Sequence, residues 1–190
     1  MEPFWGERTL LSVNRHEEVA PPSVAAEALS FGEAYDLYAD NIFRFALARM
    51  RNWHDAQDVV AMTFMQAFGT KQRPKVSAVA WLLGVASNVM RNFARSARRY
   101  RDVIDRIPRF ELPTDDADID ARLDAESAVT DMLASTPGLG MRDREVLILC
   151  GALGYGYQEA GAALDIPVGT VRSRFARAKQ KVRDAHPSLA

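Results

Sequence analysis

The segment from Tyr157 to Arg183 limits the possible folds more than any other part of the chain. Within it, four apolar residues recur at intervals of four, three and four: Val171, Phe175, Ala178 and Val182. That spacing predicts a helix over 168–184 with one narrow apolar stripe. The rest of its surface carries six cations against the single acid Asp184, a net charge of +5: Arg172, Arg174, Arg177, Lys179, Lys181 and Arg183.

A shorter helix is predicted just before this cationic one. Its apolar positions are Tyr157, Ala160, Ala163 and Leu164. The break falls at Asp165-Ile166-Pro167, since Asp tolerates left-handed backbone and Pro cannot continue a helix. Gly161 and the neighbouring alanines allow the helices to cross closely. Alone, the charged helix could be a solvated helix that closes a bundle; together with the turn and its partner it favours a DNA-binding helix-turn-helix.

Charge is segregated along the 190 residues, although the formal net charge is only -1. The stretch 91–109 contains seven Arg and two Asp, a net charge of +5. The stretch 111–126 contains seven acids and one Arg, a net charge of -6. Blocks of this kind mark separate working surfaces or tails. The average charge therefore hides two cationic modules and an acidic connector.

Three amphipathic helices are predicted in the first half. The first starts at Phe31, with a stripe through Tyr35, Tyr38, Ile42, Phe45 and Arg49. The second starts at Asp55, the predicted N-cap, and its apolar face contains Ala56, Val59, Val60, Thr63, Phe64, Ala67 and Phe68. The third starts near Ser77, with a stripe through Leu82, Val85, Ala86, Val89 and Phe93. Three helices with short loops predict a small all-α domain.

The third helix also carries a basic ridge opposite its apolar stripe. At roughly 100° per residue, five polar residues share about a third of its circumference: Asn88, Arg91, Arg95, Arg98 and Arg99. Trp81 lies on the same flank. An aromatic ring beside arginines can stack on an unpaired base while the cations bind phosphate. Packing of Trp81 in the core, with the arginines merely solvated, remains the alternative.

The remaining organisation suggests an all-α protein of two small helical domains. We expect a mobile arm at 1–30, a first domain at 31–107, an acidic flexible linker at 108–122 and a second domain at 123–190. The second domain should resume with a helix through Leu123, Val129, Met132 and Leu133, followed by one through Val146, Leu147, Leu149 and Cys150. Cys150 is the only cysteine, and a buried inert thiol is expected there.

Several classes of function are disfavoured by what the sequence lacks. No apolar run approaches the ~18 residues that span a bilayer, and no export signal is recognisable, so a cytoplasmic protein is expected. His54, Asp55 and Asp58 could suggest a metal cluster, but His16 and His186 are distant in the sequence and helix capping by Asp is the simpler explanation of the acids. There is no Gly-rich phosphate loop and no recognisable nucleophile. We expect neither catalysis nor a cofactor.

Three motifs in this order resemble the extracytoplasmic-function group of bacterial RNA polymerase sigma factors. DAQDVVAMTFMQAF at 55–68 is similar to the family's acidic second helix. AWLLGVASNVMRNFARSARR at 80–99 is similar to its Arg-rich third helix. LGMRDREVLILCGALGYGYQEAGAALDIPVGTVRSRFARAKQKVR at 139–183 resembles its C-terminal domain almost throughout. The likeness covers about 31–184, which is most of the chain.

The resemblance implies a transcription initiation factor that directs core RNA polymerase to promoters and melts their downstream element. It implies polymerase-binding roles for Asp55, Gln57, Asp58, Thr63 and Gln66. It implies contacts to the melted downstream element from Lys71, Gln72, Arg73, Lys75, Val76, Trp81, Asn88, Arg91, Arg95, Arg98 and Arg99. It implies contacts to the upstream duplex from Gly169, Thr170, Arg172, Ser173, Arg174, Arg177 and Lys181. An anti-sigma factor is an implied partner, and the linker is implied to thread the polymerase channel.

The chain departs from the family pattern at seven positions: Gln57, Ala61, Met62, Asn92, Gly156, Gly161 and Asp165. Ala61 and Met62 stand where Gln and Glu are usual, which changes the docking surface. Gly156 replaces a capping Ser and Gly161 an Ala, at an expected cost of about 1 kcal/mol each. The rival interpretation is a stand-alone regulator that binds duplex DNA as a dimer.

Overall fold

The computed structural model describes residues 28–69, 77–104, 132–133 and 135–187, with side chains as far as Arg95 in the helix that ends at Ile104. The expected arm up to residue 27, the loop at 70–76 and the acidic linker at 108–122 lie outside the described residues. So do Leu123 and Val129 of the expected linker-proximal helix. The domain boundaries therefore stay predictions.

Three helices form the first half, as the sequence predicts. They are α1 (Phe31–Met50), α2 (Trp53–Gly69) and α3 (Ala78–Ile104). Ser30 caps α1 in a capping box with Glu33, whose carboxylate accepts the Ser30 backbone N–H at 2.9 Å. The predicted cap of α2 is wrong: the Asn52 side chain accepts the Asp55 backbone N–H at 2.9 Å. Asp55 lies instead within the first turn, where its charge favours the helix N-terminus.

The core of this half follows the predicted stripes from the middle of α1 onwards. Tyr38, Ile42 and Phe45 are fully buried, and they belong to one hydrophobic cluster with buried side chains of the other two helices, among them Phe64 and Leu82. The start of the α1 stripe is different. Phe31 and Tyr35 are 49% and 43% exposed, and their rings contact the ring of Phe64 from the surface side. The stripe therefore runs from the core onto the surface.

The second half contains α4 (Met141–Leu147), a π-helical turn (Ile148–Ala152), α5 (Tyr157–Leu164) and α6 (Val168–Ala185). The apolar stripe of α6 is buried as predicted: Val171, Phe175, Ala178 and Val182. The predicted helix through Cys150 exists, but it widens into the π turn. Burial raises the pKa of the Cys150 thiol to about 12, which agrees with the expected inert thiol.

The turn between α5 and α6 forms as its residues predict. Asp165 adopts left-handed backbone with φ of 53°, and Pro167 precedes the first residue of α6. A Cβ atom at Gly161 would lie 3.0 Å from the Ile166 carbonyl oxygen, so this glycine lets the chain turn back closely over α5. At Gly156 the cap is partly restored, because its backbone N–H donates to the Glu159 carboxylate at 3.2 Å.

The two halves pack against each other, a contact that no local sequence pattern indicates. α3 lies along α5, and α1 touches the π turn. A Cβ atom at Gly84 of α3 would lie 3.1 Å from the Ala163 carbonyl oxygen of α5, which shows how closely the two backbones approach. Buried residues of both halves form one hydrophobic cluster. No helix in the described segments is long and apolar enough to cross a membrane.

We expect Gly161→Ala to lower the free energy of unfolding by about 1 kcal/mol, because the new methyl group meets a backbone oxygen and this overpacking outweighs the gain in helix propensity. Urea unfolding followed by circular dichroism measures it. Gly169→Ala is the matched control, since a Cβ atom there has no neighbour within 4 Å. A stabilised Gly161→Ala protein would contradict the packing role.

Candidate nucleic-acid and polymerase interfaces

The ridge on α3 presents its described cations to solvent. Asn88, Arg91 and Arg95 are exposed, while the side chains of Arg98 and Arg99 lie outside the described part. The Arg91 guanidinium donates to Asn88 Oδ1 at 2.7 Å and to the Ser87 carbonyl oxygen at 3.2 Å. These contacts hold the guanidinium along the helix while leaving it accessible. The arrangement suits binding of phosphate.

Trp81 fits both interpretations that the sequence left open. Its ring packs against Phe68 with the centroids 5.7 Å apart, and it is only partly buried. It also lines a cleft of about 760 Å³ between the two halves, together with Asn88 and Arg91 of α3 and Asp165 and Ile166 of the turn. The indole therefore packs on Phe68 in the first half and also borders the cleft. Five residues that are expected to contact the melted downstream element lie outside the described residues: Lys71, Gln72, Arg73, Lys75 and Val76.

The cationic helix α6 exposes part of its charge. Arg172, Ser173 and Arg177 are exposed, and Gly169 and Thr170 lie in the first turn. The Arg172 guanidinium carbon lies 5.7 Å from the centroid of the Tyr157 ring in α5, a cation–π contact. The Arg177 Nε donates to the Ser173 carbonyl oxygen at 3.3 Å. This face can enter a major groove with both cations available.

Two predicted DNA contacts on α6 have ion-pair partners within the fold. Arg174 lies 3.5 Å and Lys181 3.6 Å from the Asp143 carboxylate of α4. Lys181 also donates to the Gly138 carbonyl oxygen. Both residues lie beside the apolar stripe, seven residues apart, so their side chains reach back over α4 rather than outward. In this arrangement both side chains brace α6 on α4 while 20% of Arg174 and 39% of Lys181 stay exposed, and their DNA contacts stay predictions.

The predicted polymerase-binding residues of α2 divide in the same way. Gln57, Asp58 and Gln66 are exposed and Asp55 is partly exposed. Thr63 is fully buried, so the expectation that it faces a partner is wrong for this fold. Thr63 belongs to the buried stripe of α2. The periodicity of that stripe predicts its burial correctly, whereas the family resemblance implies a polymerase contact.

An apolar groove between α1 and α2 was missed. It has a volume of about 540 Å³ and is lined by aromatic and aliphatic side chains: Phe31, Tyr35, Ala39, Phe43, Trp53, Val60, Ala61, Phe64 and Met65. Gln57 lies at its edge, and Met62 beside it is 38% exposed. Met65 is 72% exposed, although it belongs to an otherwise well-packed helix. The signal was available, because Met62 and Met65 fall off the inward stripe of α2 and have no core to enter.

A buried polar cluster joins the two halves. The Arg49 Nη1 of α1 lies 2.7 Å from the Glu145 Oε1 of α4, with 5% and 8% of the two side chains exposed. The Ser87 hydroxyl of α3 donates to the same Oε1 at 3.2 Å. Burial lowers the pKa of Arg49, Glu145 opposes that shift, and the nearby charge of Arg91 adds to it. Glu145 was also missed; an acid inside the run REVLIL was its signal.

Comparison with known families identifies the family to which the chain belongs. The sigma-70 region 2 model matches residues 34–100, and the sigma-70 region 4 model matches residues 139–182. The chain is 35% identical over 152 residues to the probable RNA polymerase sigma-C factor of Mycobacterium bovis, covering 77% of this chain and 78% of that protein. The chain belongs to the ECF group of RNA polymerase sigma factors. It therefore acts as an alternative sigma factor, and the stand-alone regulator is not favoured.

Other relatives of this sigma factor agree. ECF sigma factor SigL of Mycobacterium tuberculosis is 31% identical over 169 residues, covering 85% of this chain and 91% of that protein. ECF sigma factor SigE of Mycolicibacterium smegmatis is 31% identical over 161 residues, covering 82% of this chain. The chain spans 61% of the length of that longer relative.

Two solved structures share the fold. One is CnrH in complex with the cytosolic domain of CnrY, with a TM-score of 0.61 and 25% identity, covering 84% of this chain and 89% of that one. The other is the sigma factor RpoE in complex with the anti-sigma factor NepR from Bartonella quintana, with a TM-score of 0.61 and 23% identity, covering 81% and 94%. In this sigma factor, region 2 contains α1 to α3, and region 4 contains α4 to α6.

Proposed function

We propose that this sigma factor docks on core RNA polymerase through region 2 and contacts the promoter at two points. Region 2 binds the downstream element as its strands separate, and region 4 binds the upstream element as duplex. The observation that carries the proposal is the exposure of two cationic faces, one with Arg91 and Arg95 on α3 and one with Arg172 and Arg177 on α6. The two faces belong to different regions of one chain, which suits a protein that contacts two separate promoter elements.

The downstream contact combines stacking with charge. Trp81 offers an aromatic ring that borders the cleft, while Asn88 and the exposed arginines of α3 offer donors for phosphate and base edges. The loop 71–76 is assigned capture of a flipped base on the family resemblance. Flipping costs a few kcal/mol, which neighbouring cations and a stacking surface offset. Arg98 and Arg99 continue the basic ridge of α3 in the sequence, beyond the side chains that the structure describes.

The upstream contact places the N-terminal part of α6 in the major groove. Arg172, Ser173 and Arg177 supply side-chain donors, and Gly169 and Thr170 bring backbone N–H groups close to phosphate at the helix start. Arg174 and Lys181 support the readout by bracing α6 on Asp143. This division leaves fewer base-reading residues than the charge of α6 suggests.

Polymerase docking uses the exposed polar residues of α2 and the groove beside them. Gln57, Asp58 and Gln66 form a polar edge, and Asp55 lies at the helix start. Met65 and the apolar groove supply contact area that the polar residues cannot. Ala61 and Met62 then make docking more apolar instead of abolishing it. Apolar centres with polar rims are typical of protein interfaces.

The remaining roles follow from membership of the group. An anti-sigma factor is a proposed partner, since the sigma factors in the two similar structures are held in complexes. The acidic linker at 108–122 is proposed to enter the polymerase channel, where its charge mimics nucleic acid. The factor carries out no catalysis of its own, uses no cofactor and acts in the cytoplasm, where its polymerase is.

The direct test of the function is reconstituted transcription. We expect the purified chain, added to bacterial core polymerase with a library of promoter fragments, to produce transcripts that share an upstream and a downstream element. Sequencing of the transcript ends measures this. Core polymerase alone is the control. Absence of both a stable complex and specific transcripts would refute the proposal.

For polymerase docking, we expect Met65→Glu to weaken core binding about tenfold, because it places a charge at an apolar contact. Fluorescence titration of labelled protein with core polymerase measures the affinity. Leu37→Glu is the matched control, since Leu37 is 41% exposed on α1 and does not line the groove. Equal affinities for the two variants would remove the groove from the docking surface.

For upstream recognition, we expect Arg177→Ala to cost about 1 to 3 kcal/mol at the cognate element and to relax preference at one base pair. The measurement is holoenzyme binding to matched elements that differ by single base substitutions. Arg183→Ala lies two turns further along α6 and should weaken binding evenly across those elements. An unchanged preference in the Arg177→Ala protein would exclude it from base readout.

A further inference from the structure

One carboxylate oxygen of region 4 lies in a cradle made by region 2. Glu145 Oε1 accepts from Arg49 Nη1 at 2.7 Å and from the Ser87 hydroxyl at 3.2 Å. Both donors belong to helices of region 2, and the carboxylate is the only group that region 4 contributes to this pair of contacts. Region 2 therefore supplies both donors, and region 4 supplies the acceptor.

The two donors have the chemistry of a phosphate site. A guanidinium and a hydroxyl that converge on one oxyanion are among the commonest partners of nucleic-acid phosphates. The cradle also continues into the basic ridge of α3. Arg49 Nη1 and Arg91 Nε donate to the same Ser87 carbonyl oxygen, at 3.4 Å and 3.2 Å. A DNA strand that follows the exposed face of Arg91 passes directly beside Arg49.

We propose that Arg49 and Ser87 form an additional phosphate-binding site for the downstream promoter strand, and that Glu145 occupies it in the compact form. The inference rests on the proposed downstream role of α3. Region 4 then competes with DNA for region 2, since the carboxylate and the phosphate require the same donors. Separation of the two regions on polymerase uncovers the site.

The exchange is physically reasonable because it keeps the charge of Arg49 compensated. A buried guanidinium that loses its counter-ion is strongly disfavoured, so region 4 cannot leave a dry Arg49 behind. A phosphate offers the same negative charge and more acceptor oxygens. The regions also meet at Gly84 and Ala163, two small residues that leave room for water once the pair separates.

The test measures binding of a fluorescein-labelled, mixed-sequence single-stranded oligonucleotide to the full chain by anisotropy, without polymerase. Glu145→Gln keeps the shape and the hydrogen bond from Ser87 but removes the competing charge. We expect it to tighten binding about tenfold and to steepen the salt dependence by about 0.7, as for one added phosphate contact. Asp36→Asn removes one exposed acid of α1 and controls for net charge.

The second step is Arg49→Gln in the Glu145→Gln background, which should abolish the gain, while Arg49→Lys should retain part of it. Ser87→Ala should reduce the gain without a charge change. A gain equal to that of Asp36→Asn, or one that survives Arg49→Gln, would overturn the inference. Circular dichroism melts verify that each variant folds, and the Ser87→Ala result stands if Arg49→Gln does not fold.

Failure of the inference can be told apart from failure of the proposed function. In reconstituted holoenzyme, Arg91→Ala should weaken melting of the downstream element if α3 has its proposed role. If Arg91→Ala weakens melting and Arg49→Gln does not, only the additional site is refuted. If neither variant affects melting, the proposed role of α3 fails as well.

Discussion

The ion pair between Arg49 and Glu145 is the contact on which the arrangement of the two regions depends. Both side chains are almost fully buried, and each comes from a different region of the chain. Burying two charges is costly, and their attraction repays that cost only with good geometry and additional hydrogen bonds. The Ser87 hydroxyl and carbonyl supply those bonds. Such a pair fixes one relative orientation of the regions more than it adds stability.

Around that pair, the structure divides its cations into two groups. Arg174 and Lys181 are engaged by Asp143, and Arg49 by Glu145, so their charges serve packing in the compact form. Arg91 and Arg177 keep exposed guanidinium groups whose hydrogen bonds run only along their own helices. Counting charge along a helix therefore overstates its nucleic-acid surface. The neighbour on the next helix decides which cations remain available.

Periodicity predicted most of the fold, because a helix that buries one stripe records that stripe in its sequence. The buried stripe of α6 and the left-handed turn at Asp165 follow from local residues alone. The packing of region 4 on region 2 could not be predicted in this way. Arg49 reads as one more position of the α1 stripe, and its partner Glu145 is 96 residues further on. Contacts at that separation leave no periodic signal in one sequence.

The close crossing of α3 and α5 gives Gly84 an influence that its size conceals. The two backbones meet at Gly84, which has only a hydrogen atom in place of a side chain. A Cβ atom added there would lie 3.1 Å from the Ala163 carbonyl oxygen. The size of the residue at position 84 thus limits how closely the two regions can approach each other. A larger side chain at this position would push the regions apart and lengthen the nearby ion pair between Arg49 and Glu145. The side chain at position 84 therefore affects how readily the two regions separate.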